Sequence, residues 1–213
     1  MNRMHTRAAL LALLVAAAPA AAQTPHTHSH GAPAPAAGDT ARWTEADVRF
    51  MTMMIGHHAQ ALDMARLAPS NGASPAVLRL AERIIASQED EIRTMQRWLR
   101  QRGQPVPDPA HAGMDHGAGH GAGHALMPGM LTAEQMAALA AARGPAFDQL
   151  FLNSMIQHHR GAVSMVSELF ATQGAGQDDS VFKFASDVNV DQVTEIARMQ
   201  RMLASVVFGA PAP

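Results

Sequence analysis

Two stretches of the chain repeat one chemical pattern. Met54-Ile55-Gly56-His57-His58-Ala59-Gln60-Ala61-Leu62-Asp63-Met64 aligns with Met155-Ile156-Gln157-His158-His159-Arg160-Gly161-Ala162-Val163-Ser164-Met165, both reading M-I-x-H-H-x-x-A-x-x-M. Imidazole and thioether are ligands for borderline and soft metal ions. The chain holds 12 His and 15 Met but no Cys, so these are the only soft or borderline ligands it owns. The missing Cys also excludes disulfides, thiolate metal sites, iron–sulfur clusters, covalent c-type haem and a Cys nucleophile. Two consecutive His beside Met, at matching positions of both copies, point either to a metal site or to a hydrogen-bonded His–carboxylate network.

The elements that would hold them are helices. At about 100° per residue, Asp47, His58, Ala61 and Ala65 fall within about 40° of Met54, and His57 lies about 60° to one side. Arg49, Asp63 and Arg66 point the other way. Asp148, Met155, His158 and His159 repeat this stripe. Downstream, Gln88, Glu91, Met95 and Leu99 share a face, and so do Gln192, Glu195, Met199 and Leu203, within a second repeated pattern Q-x-x-E-I-x-x-M-Q-R-x-L. Each half thus reads as a helical hairpin, and the two halves as an all-α four-helix bundle with internal pseudo-twofold symmetry. Met95 and Met199 are weaker metal candidates. Asp47, Glu91, Asp148 and Glu195 would orient imidazoles or cap helices. A core that gathers so many polar groups needs partners for them, since each left unpaired costs roughly 1–3 kcal/mol.

Local signals divide the chain. Residues 1–22 read as a secretory signal peptide: Arg3 and Arg7, an apolar run, then Ala20-Ala21-Ala22 for cleavage. Residues 23–43 form a disordered, Pro- and Ala-rich lead-in bearing His26, His28 and His30. The first hairpin spans 44–102. It is capped by Thr44 with Asp47, broken at Pro69 and Asn71-Gly72, restarted at Ser74-Pro75 and ended by Gly103. Residues 103–130 form a flexible low-complexity linker with His111, Met114, His116, His120, His124, Met127 and Met130. A short helix capped by Thr132 and Gln135 and the second hairpin fill 131–208.

Composition narrows the function. Acids slightly outnumber bases, for a formal net charge of −2, so no nucleic-acid partner is expected. No segment after the signal offers about 18 uninterrupted apolar residues, so no membrane span is expected once the signal is cleaved. The expected location is periplasmic or secreted. Tracts of Met and His in segments that bury nothing are hard to assign to packing. With Cys absent they favour copper over zinc, Cu(I) through thioether and Cu(II) through imidazole, and silver would follow Cu(I). Because only neutral imidazole ligates, affinity through His should fall below about pH 6.5.

The doubled H-H-x-x-A-x-x-M helices resemble the bacterial family called domain of unknown function 305, from Thr44 to Arg102 and from Pro145 to Val207. The resemblance implies a ferritin-like four-helix fold and kinship with periplasmic copper-binding proteins of the CopM type. It implies binding of Cu(I) and Cu(II) by Met and His and a role in copper tolerance or handling; sequestration needs no turnover, so no enzyme is expected. The motif residues Met54, His57, His58, Met64, Met155, His158, His159 and Met165 carry it over. A copper exporter or another periplasmic copper protein is the expected partner. Three alternatives are open at the level of sequence. A di-iron oxidase needs Glu-x-x-His, which the long helices lack. A b-type haem protein would use His and Met axial ligands. A helical interaction domain would keep its His and carboxylate groups purely as structure.

Overall fold

The computed structural model of the protein describes residues 43–109 and 126–209. The expected signal peptide, most of the lead-in and linker residues 110–125 lie outside the described residues. So do His26, His28, His30, His111, Met114, His116, His120 and His124. The described residues form five helices: α1 (Glu45–Arg66), α2 (Pro75–Gln101), α3 (Ala133–Ala141), α4 (Gly144–Ala171) and α5 (Asp179–Phe208). They contain no strand, and no helix among them is long and apolar enough to cross a membrane.

Helix starts follow their capping residues. The Thr44 hydroxyl accepts from the Asp47 N–H while the Asp47 carboxylate accepts from the Thr44 N–H at 2.7 Å, a reciprocal box that satisfies two orphan donors. Ser74 caps α2, with Pro75 in the first turn. Thr132 and Gln135 form a second box on α3. Asp178 caps α5 through the Ser180 and Val181 N–H groups. The same carboxylate accepts from Trp98 Nε1 at 3.2 Å and from Arg102 at 2.6 Å. Burial alone would raise its pKa, but the Arg102, Val181 and Trp98 donors lower it from the ordinary carboxylate value. Trp43 packs edge-on against Trp98, so the last residue of the expected lead-in belongs to the bundle.

α1 lies along α2, α4 lies along α5, and α1 packs on α4 to join the hairpins. α1 and α4 run antiparallel. The first turn of α1 meets the loop before α5, where the Gly176 N–H donates to Asp47 at 2.6 Å. The first turn of α4 meets the loop before α2, where the Ser74 N–H donates to Asp148 at 3.1 Å. The result is the expected four-helix bundle of two duplicated hairpins, with α3 as a short extra helix.

The core divides in two. One cluster gathers Phe50, Met51, Met54, Ile92, Met95, Trp98, Met165 and Phe184. The other gathers Met64, Leu80, Ile84, Phe147, Phe151, Met155 and Met199. Each fully buried side chain of this size contributes roughly 1.5–3 kcal/mol by leaving water. The paired histidines follow Met54 on α1 and Met155 on α4, so they fall between the two apolar clusters.

Candidate metal centre

All four motif histidines are buried. Their closest ring contact crosses between the repeats: His57 and His158 face each other with centroids 3.9 Å apart. Sequence neighbours are farther apart, 6.4 Å for His57 and His58 and 6.3 Å for His158 and His159. The outer two rings are held by carboxylates from the second helix of their own hairpin. His58 Nε2–H donates to Glu91 at 2.5 Å, and His159 Nε2–H donates to Glu195 at 2.7 Å. An Nε2–H tautomer leaves Nδ1 with a bare lone pair, the arrangement by which outer carboxylates orient metal-binding imidazoles. No acceptor or donor meets that lone pair in either ring.

Unpartnered polar atoms concentrate in this layer. Among the described residues, eight buried side-chain nitrogen or oxygen atoms have no hydrogen-bond partner, and seven of them belong to His57, His58, Gln88, His158, His159 and Gln192. Both ring nitrogens of His158 are among them. Orphaned atoms usually scatter, and a cluster of them calls for water, an ion or a functional role.

Burial keeps the central pair neutral. It drives the His57 pKa down to about 3, with help from the neighbouring His58, although the hydrogen bond to Pro128 opposes the shift. It also drives His158 well below its ordinary value, reinforced by His57. For His57 and His158 this moves the expected threshold below pH 6.5. For these two rings, protons do not compete for the nitrogens until the solution is far more acidic.

The thioethers are distributed by the fold, not by the motif. Met54 and Met64 sit ten residues apart on α1, about 15 Å along the axis, and pack in different clusters. Met54 joins Met95 and Met165 in the first cluster, while Met64 joins Met155 and Met199 in the second. All six are buried. Each cluster thus draws one motif Met from each half, with Met95 from α2 in the first and Met199 and Met202 from α5 in the second. Among the described residues, no group of three or more His, Asp or Glu is placed to hold a metal ion.

Asp47 takes the capping role that was one of its two expected ones, while Asp148 takes neither of its two. Asp47 and Asp148 do not reach the imidazoles. Each bonds backbone N–H groups in the loop of the opposite hairpin, and Asp47 also closes its own capping box. The linker is corrected too. Its last residues lie on the bundle: Met130 is buried, and Met127 packs against the first cluster.

This docked segment involves residues that the sequence pattern did not single out. His57 Nε2–H donates to the Pro128 carbonyl at 3.0 Å. The Gln60 side chain pairs with Leu131 twice, accepting from its N–H at 2.7 Å and donating to its carbonyl at 3.0 Å. Gln157 donates to the Gly129 carbonyl at 3.3 Å. Gly161 has no room for a side chain, because a Cβ would stand 1.9 Å from the Pro128 oxygen. Gly129 takes φ +77°, a conformation L side chains rarely adopt. The available signal was the exchange of Gly and Gln between the repeats, Gly56 for Gln157 and Gln60 for Gly161.

The sequence matches the family described as Domain of unknown function (DUF305) over residues 47–203. No curated protein matches it. A DUF305 protein of Streptomyces coelicolor is 28% identical, covers 76% of this chain and 93% of its own, and superposes with a TM-score of 0.63. A DUF305 fragment from Deinococcus radiodurans is 30% identical over 76% of this chain and 97% of its own, with a TM-score of 0.62. CopM in its Cu(II)-bound form is 34% identical over 75% of this chain and 96% of its own, with a TM-score of 0.58. CopM is similar also in its Cu(I)-bound and Ag-bound forms. With its doubled motif, its four-helix bundle and a family match spanning most of the chain, this protein belongs to the DUF305 family.

Proposed function

We propose that this protein binds copper and acts, without catalysis, as an exported protein of copper sequestration, tolerance or handling. One observation carries the reading: the bundle concentrates unpartnered imidazole nitrogens in one buried layer between two Met-bearing clusters. Burying such groups without partners costs free energy that a purely structural core would avoid. A metal ion would recover it. CopM, a relative with the same bundle, is known in Cu(I)-, Cu(II)- and Ag-bound forms, which supports copper, with silver as its soft analogue.

In this reading His57, His58, His158 and His159 supply nitrogen, while Met54, Met64, Met155 and Met165 supply sulfur from either side. Met95 and Met199 back them. Glu91 and Glu195 fix the tautomers of His58 and His159. Soft Cu(I) suits mixed nitrogen and sulfur ligation at low coordination number, which does not require three His or carboxylate groups at one point. Met127 and Met130, with the His and Met residues of the lead-in and linker, give weaker sites that capture the ion or pass it to a copper exporter or another periplasmic copper protein.

A second reading has its own support. The His58–Glu91 and His159–Glu195 pairs satisfy part of the layer without metal, as in a helical interaction domain whose polar core is structural. Titration of Cu(I) against a colorimetric chelator separates the two. We expect tight binding by the mature protein, its loss when His57, His58, His158 and His159 are all replaced by Ala, and its retention when 103–125 is removed. Binding lost only with the linker residues would make the layer structural. No binding above background would overturn the copper reading.

A further inference from the structure

Resting on the copper reading, we propose that the segment Met127–Leu131 is a positioning element of the metal site, whose Pro128 carbonyl does for His57 what Glu91 does for His58 and Glu195 for His159. In all three rings the Nε2–H is taken by an oxygen acceptor, and in all three Nδ1 is left buried and unpartnered. The acceptor fixes the tautomer, and the tautomer decides which nitrogen can ligate. Three histidines are therefore set for ligation through Nδ1. His158 has no well-formed hydrogen bond at either nitrogen, and the His57 backbone is its only acceptor, a weak one, so its tautomer is held less firmly.

The acceptor is built in by the fold. The Pro128 carbonyl comes from the far side of a long connection in sequence, so its place against His57 must be secured by other contacts. Gln60 clasps the Leu131 backbone at both its donor and its acceptor. Gln157 holds the Gly129 carbonyl. Gly161 lets the segment lie directly on the α4 backbone. None of these residues is a metal ligand, yet each fixes the position of the atom that orients one. The repeats diverge where the clasp is formed: Gln60 stands where the other half has Gly161, and Gln157 where the other half has Gly56. A segment docked only to fill space would need neither the paired hydrogen bonds of Gln60 nor an acceptor aimed at the His57 ring.

The test uses the mature full-length protein with Gln60→Ala and Gly161→Ala. The first removes both bonds to Leu131. The second places a methyl group where Pro128 lies, while Ala itself favours the helix. Gln60→Glu is the conservative control, since it keeps the acceptor for the Leu131 N–H. Circular dichroism and thermal melting establish that each variant keeps the bundle. Nitrogen-15 spectra of the metal-free proteins then report the His57 tautomer directly, without copper. We expect a single Nε2–H form in the wild type and a mixture of tautomers in Gln60→Ala and Gly161→Ala. Cu(I) affinity should fall about 10- to 100-fold in those two, the range typical for losing an outer-shell partner, with partial recovery in Gln60→Glu. Unchanged tautomer or unchanged affinity in both folded variants, while the wild type binds Cu(I), overturns the positioning role and leaves the copper reading intact. Absence of Cu(I) binding by the wild type overturns both.

Discussion

The two halves of the bundle carry the same motif but different surroundings. In the first half, His57 finds an acceptor in Pro128, and Gln60 grips the segment that brings it. In the second half, His158 occupies the equivalent position with only the His57 backbone as a weak acceptor and no well-formed hydrogen bond, and Gly161 replaces Gln60 to make room for that same segment. Duplication alone would make the layer symmetric. One piece of chain docked at one place breaks the symmetry, giving one of two facing rings a well-formed acceptor and leaving the other with a weak one. Repeated sequence therefore specifies the scaffold, and the departures from repetition specify how its polar centre is set.

The largest expected effect concerns the His57–His158 pair as a unit. The unfolded chain takes up a proton on each His near pH 6.5, whereas burial holds native His57 down at about 3 and His158 well below its ordinary value. Below pH 6.5 the unfolded state thus binds more protons, and stability falls as pH drops through 6.5 towards 3. The slope approaches about 1.4 kcal/mol per pH unit for each ring. From pH 7 to pH 5, His57 alone should account for about 2 kcal/mol, and His158 adds to it. Urea unfolding of the metal-free protein at the two pH values measures the loss. The double variant His57→Leu, His158→Leu should lose much less. An equal loss in both proteins would mean that the pair does not govern acid sensitivity.

A smaller effect compares the two crossed clasps. Asp47 accepts from the Thr44 N–H, the Thr44 hydroxyl and the Gly176 N–H. Asp148 accepts only from the Ser74 N–H, shared between its two oxygens. Asp47→Ala keeps the Thr44 cap but loses the reciprocal half of the box, leaving the Thr44 and Gly176 N–H groups without their acceptor at about 1 kcal/mol each, roughly 2 kcal/mol in all. Asp148→Ala strands one donor, at about 1 kcal/mol. Chemical denaturation at neutral pH ranks them. The reverse order would mean that the loop before α2 depends on its clasp more than the loop before α5.

Much of this was readable from the residues, and the rest was hidden for physical reasons. Capping at Thr44, Ser74 and Thr132 and the apolar stripes of α1 and α4 are local, so helix starts and buried faces followed from spacing alone. The pairing of His58 with Glu91 and of His159 with Glu195 was within reach, because the members of each pair lie on core-facing stripes of one hairpin. The close approach of His57 and His158 was not, because it depends on how two hairpins cross. Asp47 shares the helical angle of His58, yet it lies eleven residues away, about 16 Å along the axis, and rotation alone conceals that distance. The docked end of the linker was hidden by its composition. Met127-Pro128-Gly129-Met130 looks like the preceding low-complexity residues, and only its contacts with Gln60, Gln157 and Gly161 distinguish it.

The smallest effect lies where the carboxylates that hold the outer rings find different neighbours. One turn before Glu91 stands Ser87, whose hydroxyl donates to that carboxylate at 3.3 Å. One turn before Glu195 stands Asp191 instead. Partial burial raises the Asp191 pKa, and the negative charges of Glu91, Glu195 and Asp187 raise it further. Asp191→Ser would remove a repelling charge and offer Glu195 the kind of donor that Glu91 already has. Because Asp191 is largely exposed, solvent screens the repulsion, and the gain should be no more than about 0.5 kcal/mol at pH 7. The sign with pH follows from the raised pKa. Asp191 destabilises the fold while it is ionised, and protonation relieves that, so the advantage of Ser should shrink as the solution is acidified. Salt should shrink it as well. A gain that persisted at low pH and high salt would come from helix propensity or packing, and the unequal neighbours of Glu91 and Glu195 would then have no electrostatic consequence for the two outer rings.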